Sequence, residues 1–309
     1  MITTVTLNPM LDKTVIVDKI ERGKIHRAMN MEMVPGGKGI NVSRQSRRLG
    51  MKTLATGFLG GETGTTVSRL MSEEGIEHDF VWINAMTRDG VTYRENDGTT
   101  TAIFEPSQKI GLDDAHALSR KAEQLAPKST WLVCAGSSPC SEADDLFFES
   151  IRIARDHGVR SVLDSYGRSF ERALTAVPTL VKPNRQEFEK TFGAPLNTER
   201  SMREGLEFFL SRSISYALIT DGARPFYAAG EGKFWVVMPP SIKALNPVGS
   251  GDAMVAGILY GLEKQWEFAR CLTFGTAAGA ANAQKWGIAN SALEEIQNLE
   301  SEVRIKELK

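Results

Sequence analysis

The chain has 309 residues, 41% of them hydrophobic and 24% charged, with a formal net charge of −1. This is an ordinary globular composition that allows one large α/β domain or two small ones, and it exerts no global pull toward nucleic acid or an anionic membrane. Cys134, Cys140 and Cys271 form an odd set without a CxxC pair, which excludes a disulfide scaffold or zinc site and predicts a reduced, cytoplasmic enzyme.

Ile2-Thr3-Thr4-Val5-Thr6-Leu7 reads as a strand, without the charged and apolar regions of a signal peptide. Residues 12–35 then alternate, as Thr14-Val15-Ile16-Val17-Asp18 and again from Met29 to Val34. Pro35-Gly36-Gly37-Lys38-Gly39-Ile40-Asn41 opens a helical pattern that ends at Leu49-Gly50. The glycines let a ligand approach the backbone, Lys38 offers a point charge and Asn41 an amide. Arg44, Arg47 and Arg48 at helical spacing predict a solvated helix face rather than a nucleic-acid surface. Residues 88–105 alternate around the turn Asn96-Asp97-Gly98 and predict a hairpin.

From Trp131 the rhythm changes. Trp131–Cys134, Ser161–Asp164, Thr179–Lys182 and Tyr216–Thr220 read as buried strands. A helix is expected to start at Ser141-Glu142-Ala143-Asp144 and stop at His157-Gly158. Strand, helix, strand at this spacing predicts a mostly parallel sheet with helices on both faces. Ligands gather beyond the carboxyl ends of such strands, where Asp164, Lys182, Asn184 and Thr220 fall. Phe268–Ala283, rich in Ala and Gly, is too short for a membrane span and predicts a buried helix.

The most informative stretch is Asn246-Pro247-Val248-Gly249-Ser250-Gly251-Asp252, followed by small and apolar residues of a helix. A helix N-terminus is an anion site, so a carboxylate there is electrostatically odd if phosphate binding is the whole purpose. It fits a base that takes a proton from a hydroxyl attacking phosphate. A flexible turn with an acidic first turn is the plain alternative for this stretch alone.

Together the two glycine loops resemble the two signatures of the ribokinase-like sugar kinases, the phosphofructokinase B family. Pro35–Asn41 and the opening Thr6-Leu7-Asn8-Pro9-Met10-Leu11-Asp12 are similar to its 1-phosphofructokinase and tagatose-6-phosphate kinase branch, and Lys182-Pro183-Asn184-Arg185-Gln186-Glu187 to its nucleotide-site motif. The resemblance runs from residue 2 to about residue 290. It implies a ribokinase-like α/β fold in one domain, with the segments at 12–35 and 88–105 inserted as a small β lid often shared between two subunits. It implies an ATP- and Mg²⁺-dependent transfer to a ketohexose phosphate, with fructose-1-phosphate the leading acceptor and tagatose-6-phosphate or fructose-6-phosphate the alternatives. A homodimer through the lid is expected, and no nucleic-acid or membrane partner.

Carried over residue by residue, the resemblance makes Asp252 the general base and the Gly249, Ser250 and Gly251 amides the cradle of the migrating phosphoryl. Gly36, Gly37, Asp12 and Asn41 would meet the sugar, while Lys38, Lys24, Arg27 and Arg88 would meet its phosphate. With no carboxylate near it in sequence, Lys38 is expected to need that anion as its partner. Asn184 and Glu187 would position magnesium through water, and Lys182, Thr220, Gly222 and Asn282 would contact the nucleotide.

Four places depart from the family pattern: Gly136-Ser137-Ser138-Pro139-Cys140-Ser141, Gly90, Asp221–Phe226 and Tyr166. They bear on sugar identity more than on the transfer itself. A dehydrogenase reading of Gly249-Ser250-Gly251 fails because Met254 stands where the dinucleotide fingerprint needs glycine. A non-catalytic sugar-phosphate sensor on the same fold would be expected to lose the base, and Asp252 is present.

Overall fold

The computed structural model describes residues 1–308. From β1 (Ile2–Thr6) the chain leaves the main layer through β2 (Met10–Ile16) and β3 (Asn30–Gly36), and returns by α1 (Lys38–Arg48) to β4 (Thr53–Gly60). Helix α2 (Gly61–Glu73) leads to β5 (Val81–Ile83), after which β6 (Arg88–Arg94) and β7 (Thr100–Phe104) leave the layer again. Helix–strand units follow: α3 (Leu112–Leu125) with β8 (Trp131–Ala135), α4 (Leu146–Asp156) with β9 (Arg160–Asp164), and α5 (Gly167–Leu174) with β10 (Leu180–Val181). Then come α6 (Arg185–Phe192), α7 (Glu199–Leu210), β11 (Tyr216–Ile219), β12 (Phe226–Gly230) and β13 (Lys233–Met238). The chain closes with α8 (Ser250–Glu263), α9 (Phe268–Ala283), α10 (Leu293–Glu300) and β14 (Arg304–Leu308).

Among the described residues the main sheet runs β14-β13-β12-β11-β10-β9-β8-β1-β4-β5. It is parallel from β11 to β5 and antiparallel beyond β11, the mostly parallel arrangement the sequence implies. Strand β8 shows why helices cover both faces. Trp131, Val133 and Ala135 join one apolar core with Val255 and Phe274, while Leu132 and Cys134 join the other with Phe147 and Phe170. The order reverses at β1, which pairs with β4 on one side and β8 on the other, opening a crevice at the carboxyl ends of β1 and β8. Helix α9 is buried as expected: a Cβ at Gly275 would stand 2.6 Å from Ile258 Cγ1, so α8 and α9 touch nearly backbone to backbone. No helix among the described residues is long and apolar enough to cross a membrane.

A second sheet, β3-β2-β6-β7, stands over the crevice. Its strands begin at Met10 and end at Gly36 in the first segment, slightly wider than the 12–35 expected, and span Arg88–Phe104 in the second. The two segments pair in parallel, Asp12 opposite Gly90, rather than only antiparallel. Both enter this sheet from carboxyl ends of parallel main strands, so they run the same way. Two local readings also shift. Ser141–Ala143 forms a 3₁₀ turn before α4 begins at Leu146, and β10 is only Leu180–Val181, because Pro183 brings no N–H to extend the ladder.

Candidate active site

A cavity of about 570 Å³ lies at the crevice, beneath the second sheet. Helix α8 reaches it end-on. Gly249 holds φ 79°, a left-handed conformation that glycine adopts without strain, and turns the chain so that Asp252 sits in the first helical turn. Asp252 is buried, and its Oδ2 accepts a hydrogen bond from Asn41 Nδ2 at 2.8 Å. Burial pushes its carboxyl up to about 6, helped by Asp164 nearby and opposed by Lys38, the Asn41 bond and Lys182. A carboxyl raised in this way can take up a proton near neutral pH, as a general base must. Of the three loop amides assigned to the phosphoryl cradle, Ser250 N–H already donates to Pro247 O at 3.1 Å. Among the described residues, the Gly249, Gly251 and Asp252 N–H groups have no such partner and are free donors.

Helix α1 brings the second glycine loop to the same point, pressed against β1: a Cβ at Gly39 would stand 2.4 Å from Thr6 Oγ1. Lys38 departs from expectation. Its Nζ donates to Asp164 Oδ1 and Glu187 Oε1, both at 2.8 Å, so its charge is met by two carboxylates without a sugar phosphate and one N–H is left over. Burial pulls its pKa down, but Asp164, Glu187 and Asp252 together hold it well above the ordinary lysine range. Lys182 Nζ stands 2.9 Å from Asp164 Oδ2. Burial would raise the Asp164 carboxyl, yet Lys182 and Lys38 outweigh it and hold it below the usual range. Asp164 is thus a junction that binds both cations at the end of β9. Its place at a strand end was legible from sequence, but not its role in neutralising Lys38.

Asn184 caps α6. Its Oδ1 accepts from Glu187 N–H, and Glu187 Oε2 accepts from Asn184 N–H, each at 2.8 Å. The three-residue spacing is therefore a reciprocal capping box that fixes both side chains on the cavity wall. A divalent cation suits these residues. Lys38 and Lys182 are balanced by Asp164 and Glu187, Asp252 adds a carboxylate, and no uncommitted cation in this cluster faces an incoming polyphosphate. Asn184 and Glu187 would hold the ion through water, since both Glu187 oxygens already accept hydrogen bonds.

The opposite, lid-side wall carries Asp12, Gly36, Gly37, Asn41 and Arg88, with Asn8, Met10, Ser137 and Tyr166 beside them. Asp12 is buried and raised by that burial, with Arg44 opposing. Arg88 has no carboxylate partner among the described residues; its Nε is buried and unbonded, and one Nη reaches Asn8 O at 3.5 Å. Burial accordingly pulls its pKa down. Asn8 donates to Ser107 and Ser137 hydroxyls while its Oδ1 is unbonded. Polar atoms left open in this way belong where a ligand will satisfy them. Thr220 and Gly222 line the cavity at the end of β11. Beyond them an apolar slot is formed by Pro239, Pro240, Ile242, Ala244, Val248 and Ala280, which sequence reasoning missed because its signal is only a Pro-Pro after β13.

Three expected residues do not line the cavity. Lys24 and Arg27 are exposed in the connection between β2 and β3, and Lys24 pairs with Glu21. Asn282 is buried and spent on structure: Nδ2 donates to Val248 O at 2.8 Å and Ser250 Oγ at 3.0 Å, and Oδ1 accepts from Ala289 N–H at 2.6 Å. It fastens the Gly249 loop instead of meeting a base. Arg44 is also corrected. Arg47 and Arg48 are solvated, but Arg44 is buried on the inner side of α1.

A family model described as pfkB family carbohydrate kinase matches residues 6–296. The chain is 30% identical over 311 aligned residues to a 1-phosphofructokinase of Borreliella burgdorferi, covering 100% of this chain and 99% of that one. A structure of a possible 1-phosphofructokinase from Thermotoga maritima superposes with TM-score 0.91 at 26% identity, covering 100% of both chains. The tetrameric inhibited form of phosphofructokinase-2 from Escherichia coli superposes with TM-score 0.89 at 26% identity, covering 97% of this chain and 98% of that one.

Proposed function

As this chain belongs to the pfkB family of carbohydrate kinases, we propose that it is an ATP-dependent ketohexose-phosphate kinase, with fructose-1-phosphate the acceptor and fructose-1,6-bisphosphate the product. The observation that carries the reading is Asp252, buried and raised at the N-terminus of α8, beside free helix amides and at the meeting point of both cavity ends. The apolar slot suits an adenine, and Lys182, Thr220 and Gly222 stand along the path its phosphates would take. Mg²⁺ held by Asn184 and Glu187 through water would supply charge neutralisation at the phosphates. The acceptor hydroxyl forms a bond to the γ-phosphorus as the bond to the bridging oxygen of ADP breaks, and its proton passes to Asp252. The Gly251 and Asp252 amides stabilise the charge that spreads on the phosphoryl oxygens.

A phosphorylated acceptor is supported by Arg88 rather than by Lys38. Arg88 is a half-buried cation without a carboxylate, aimed at the lid-side wall, and a substrate phosphate would complete it. Asp12 and Asn41 would hold sugar hydroxyls. We further propose a single ribokinase-like domain with the β lid inserted, acting in the cytoplasm as a homodimer through that lid. Met29, Met31, Met33, Ile103 and Phe104 are exposed on the lid, an apolar surface that a second lid would cover. In such a dimer Lys24 and Arg27 would be free to reach toward the partner's acceptor site. A non-catalytic sensor is disfavoured by the poised state of Asp252.

The test is Asp252→Asn, which preserves shape and removes the base. With fructose-1-phosphate, kcat should fall by about 10²-fold or more while the nucleotide Kd holds. Near-normal turnover sinks the assignment. Initial rates on fructose-1-phosphate, tagatose-6-phosphate and fructose-6-phosphate decide the acceptor.

A further inference from the structure

Arg44 sits three residues beyond Asn41 on α1, on the same helical face, and is buried although it carries a full charge. Its contacts come from four elements. Nε donates to Glu74 at the end of α2, and Nη2 approaches the other Glu74 oxygen at 3.3 Å. Nη2 also donates to Pro35 O, on β3 where the lid returns to α1, at 2.7 Å. Nη1 donates to Asn41 Oδ1 at 2.8 Å, and Asp12 on β2 feels its charge.

A guanidinium has only donors. The Asn41 oxygen must therefore face Arg44, which leaves the Asn41 NH₂ to face Asp252, where it donates at 2.8 Å. An ionised carboxylate only accepts, whereas a protonated Asp252 can donate, so without Arg44 the amide is free to turn its oxygen toward the protonated form and favour it. We infer that Arg44, anchored by Glu74, is a positioning residue for the reaction: it fixes the Asn41 amide in the one orientation that donates to the ionised Asp252 carboxylate. Arg44 touches neither substrate nor reacting atoms. The inference rests on the reading of Asp252 as the base.

The groups facing Asp252 are Asn41 and Lys38 from α1, Asp164 from β9 and Lys182 after β10. Of these, Arg44 directly holds Asn41, whose bond favours the ionised form. Losing that bond should raise the pKa of the base and move the acid limb of the rate profile to higher pH.

The experiment measures kcat at saturating sugar phosphate from pH 5 to 9 for the parent, Arg44→Met, Arg47→Met and Asp252→Asn. Arg44→Met should move the acid limb up by about one pH unit, so that kcat near pH 6 falls about fivefold and recovers toward pH 9. Arg47→Met removes the same charge from the exposed side of α1 and should leave the limb in place; an equal move there makes the effect one of net charge and overturns the inference. An unmoved limb in folded Arg44→Met, even with lowered kcat or melting temperature, also overturns it, since that is the signature of a merely structural residue. If Arg44→Met does not fold, Arg44→Lys decides. The lysine nitrogen is drawn to the Glu74 carboxylate before the neutral Asn41 oxygen and so no longer fixes the amide, and the limb must still rise. If Asp252→Asn retains turnover the base assignment falls first, whereas an inactive Asp252→Asn with an unmoved Arg44 limb removes this inference alone.

Discussion

Lys38→Met tests the point where sequence and structure part most sharply. The ammonium lies 2.8 Å from both Asp164 Oδ1 and Glu187 Oε1, and the Asp164 side chain is 1% exposed. Removing one partner from a buried charge network costs about 3–5 kcal/mol. The lower end applies here, because Asp164 keeps Lys182 at 2.9 Å and the Lys38 side chain is 28% exposed. Denaturant unfolding should therefore show a loss of about 3 kcal/mol at neutral pH. Lys38 also stands among Asp164, Glu187 and Asp252, where phosphoryl charge would build up, so kcat should fall about a hundredfold. The KM for phosphosugar should change little, since the Lys38 charge is already committed to carboxylates. Steady-state kinetics with fructose-1-phosphate and free fructose read this directly. If kcat is kept while the preference for the phosphorylated sugar collapses, Lys38 is the sugar-phosphate ligand after all and the reasoning from its two carboxylates is refuted.

Two further outcomes are expected. The Asp252 carboxyl is held at about 6 against an ordinary 3.8, so above pH 6 its ionised form costs the fold about 3 kcal/mol, a cost relieved as protonation proceeds between pH 6 and 4. Asp252→Asn should thus melt several degrees above the parent at pH 8, with the advantage shrinking toward pH 4; a gap independent of pH would contradict the burial argument. In the lid, Arg94 lies 3.5 Å over the ring of Trp286, whose carbonyl accepts from Asn246 in the Gly249 loop, so lid movement should change Trp286 emission. Adding fructose-1-phosphate should shift the fluorescence, Trp286→Phe should remove that shift, and hydrogen exchange in residues 10–36 and 88–104 should slow. Unchanged emission and exchange at saturating sugar argue against a closing lid.

What the sequence revealed follows the range of each interaction. The glycine loops and the strand alternation are local consequences of backbone and spacing, and they were legible. The partners of Lys38 were not, since Asp164 and Glu187 lie 126 and 149 residues away and meet it only because β9 and α6 end at the same crevice. Arg44 shows a subtler limit. Its spacing to Asn41 was visible, but the same spacing describes a solvated face until α2 and β3 are packed over it. Asn282 failed in the opposite way. The family resemblance put it at the nucleotide, while the close packing of α9 turned its amide inward to hold the Gly249 loop.

Two of the departures from the family pattern, Gly90 and Tyr166, fall on the acceptor wall. Gly90 lies opposite Asp12 in the lid, and a Cβ there would stand 2.8 Å from both Met10 Sδ and Phe104 Cδ1. A side chain cannot be added at this position without moving Met10, which itself lines the cavity. Tyr166, in place of a small residue, lines the same wall within electrostatic reach of Arg88. The wall thus presents a thioether and a phenol next to a guanidinium that has no carboxylate partner among the described residues. Such a wall offers fewer hydrogen bonds to sugar hydroxyls and keeps its charge for an anion. Discrimination among ketose phosphates should then depend on where the phosphate meets Arg88 relative to the hydroxyl at Asp252, and the three-sugar rate comparison measures that distance as a preference.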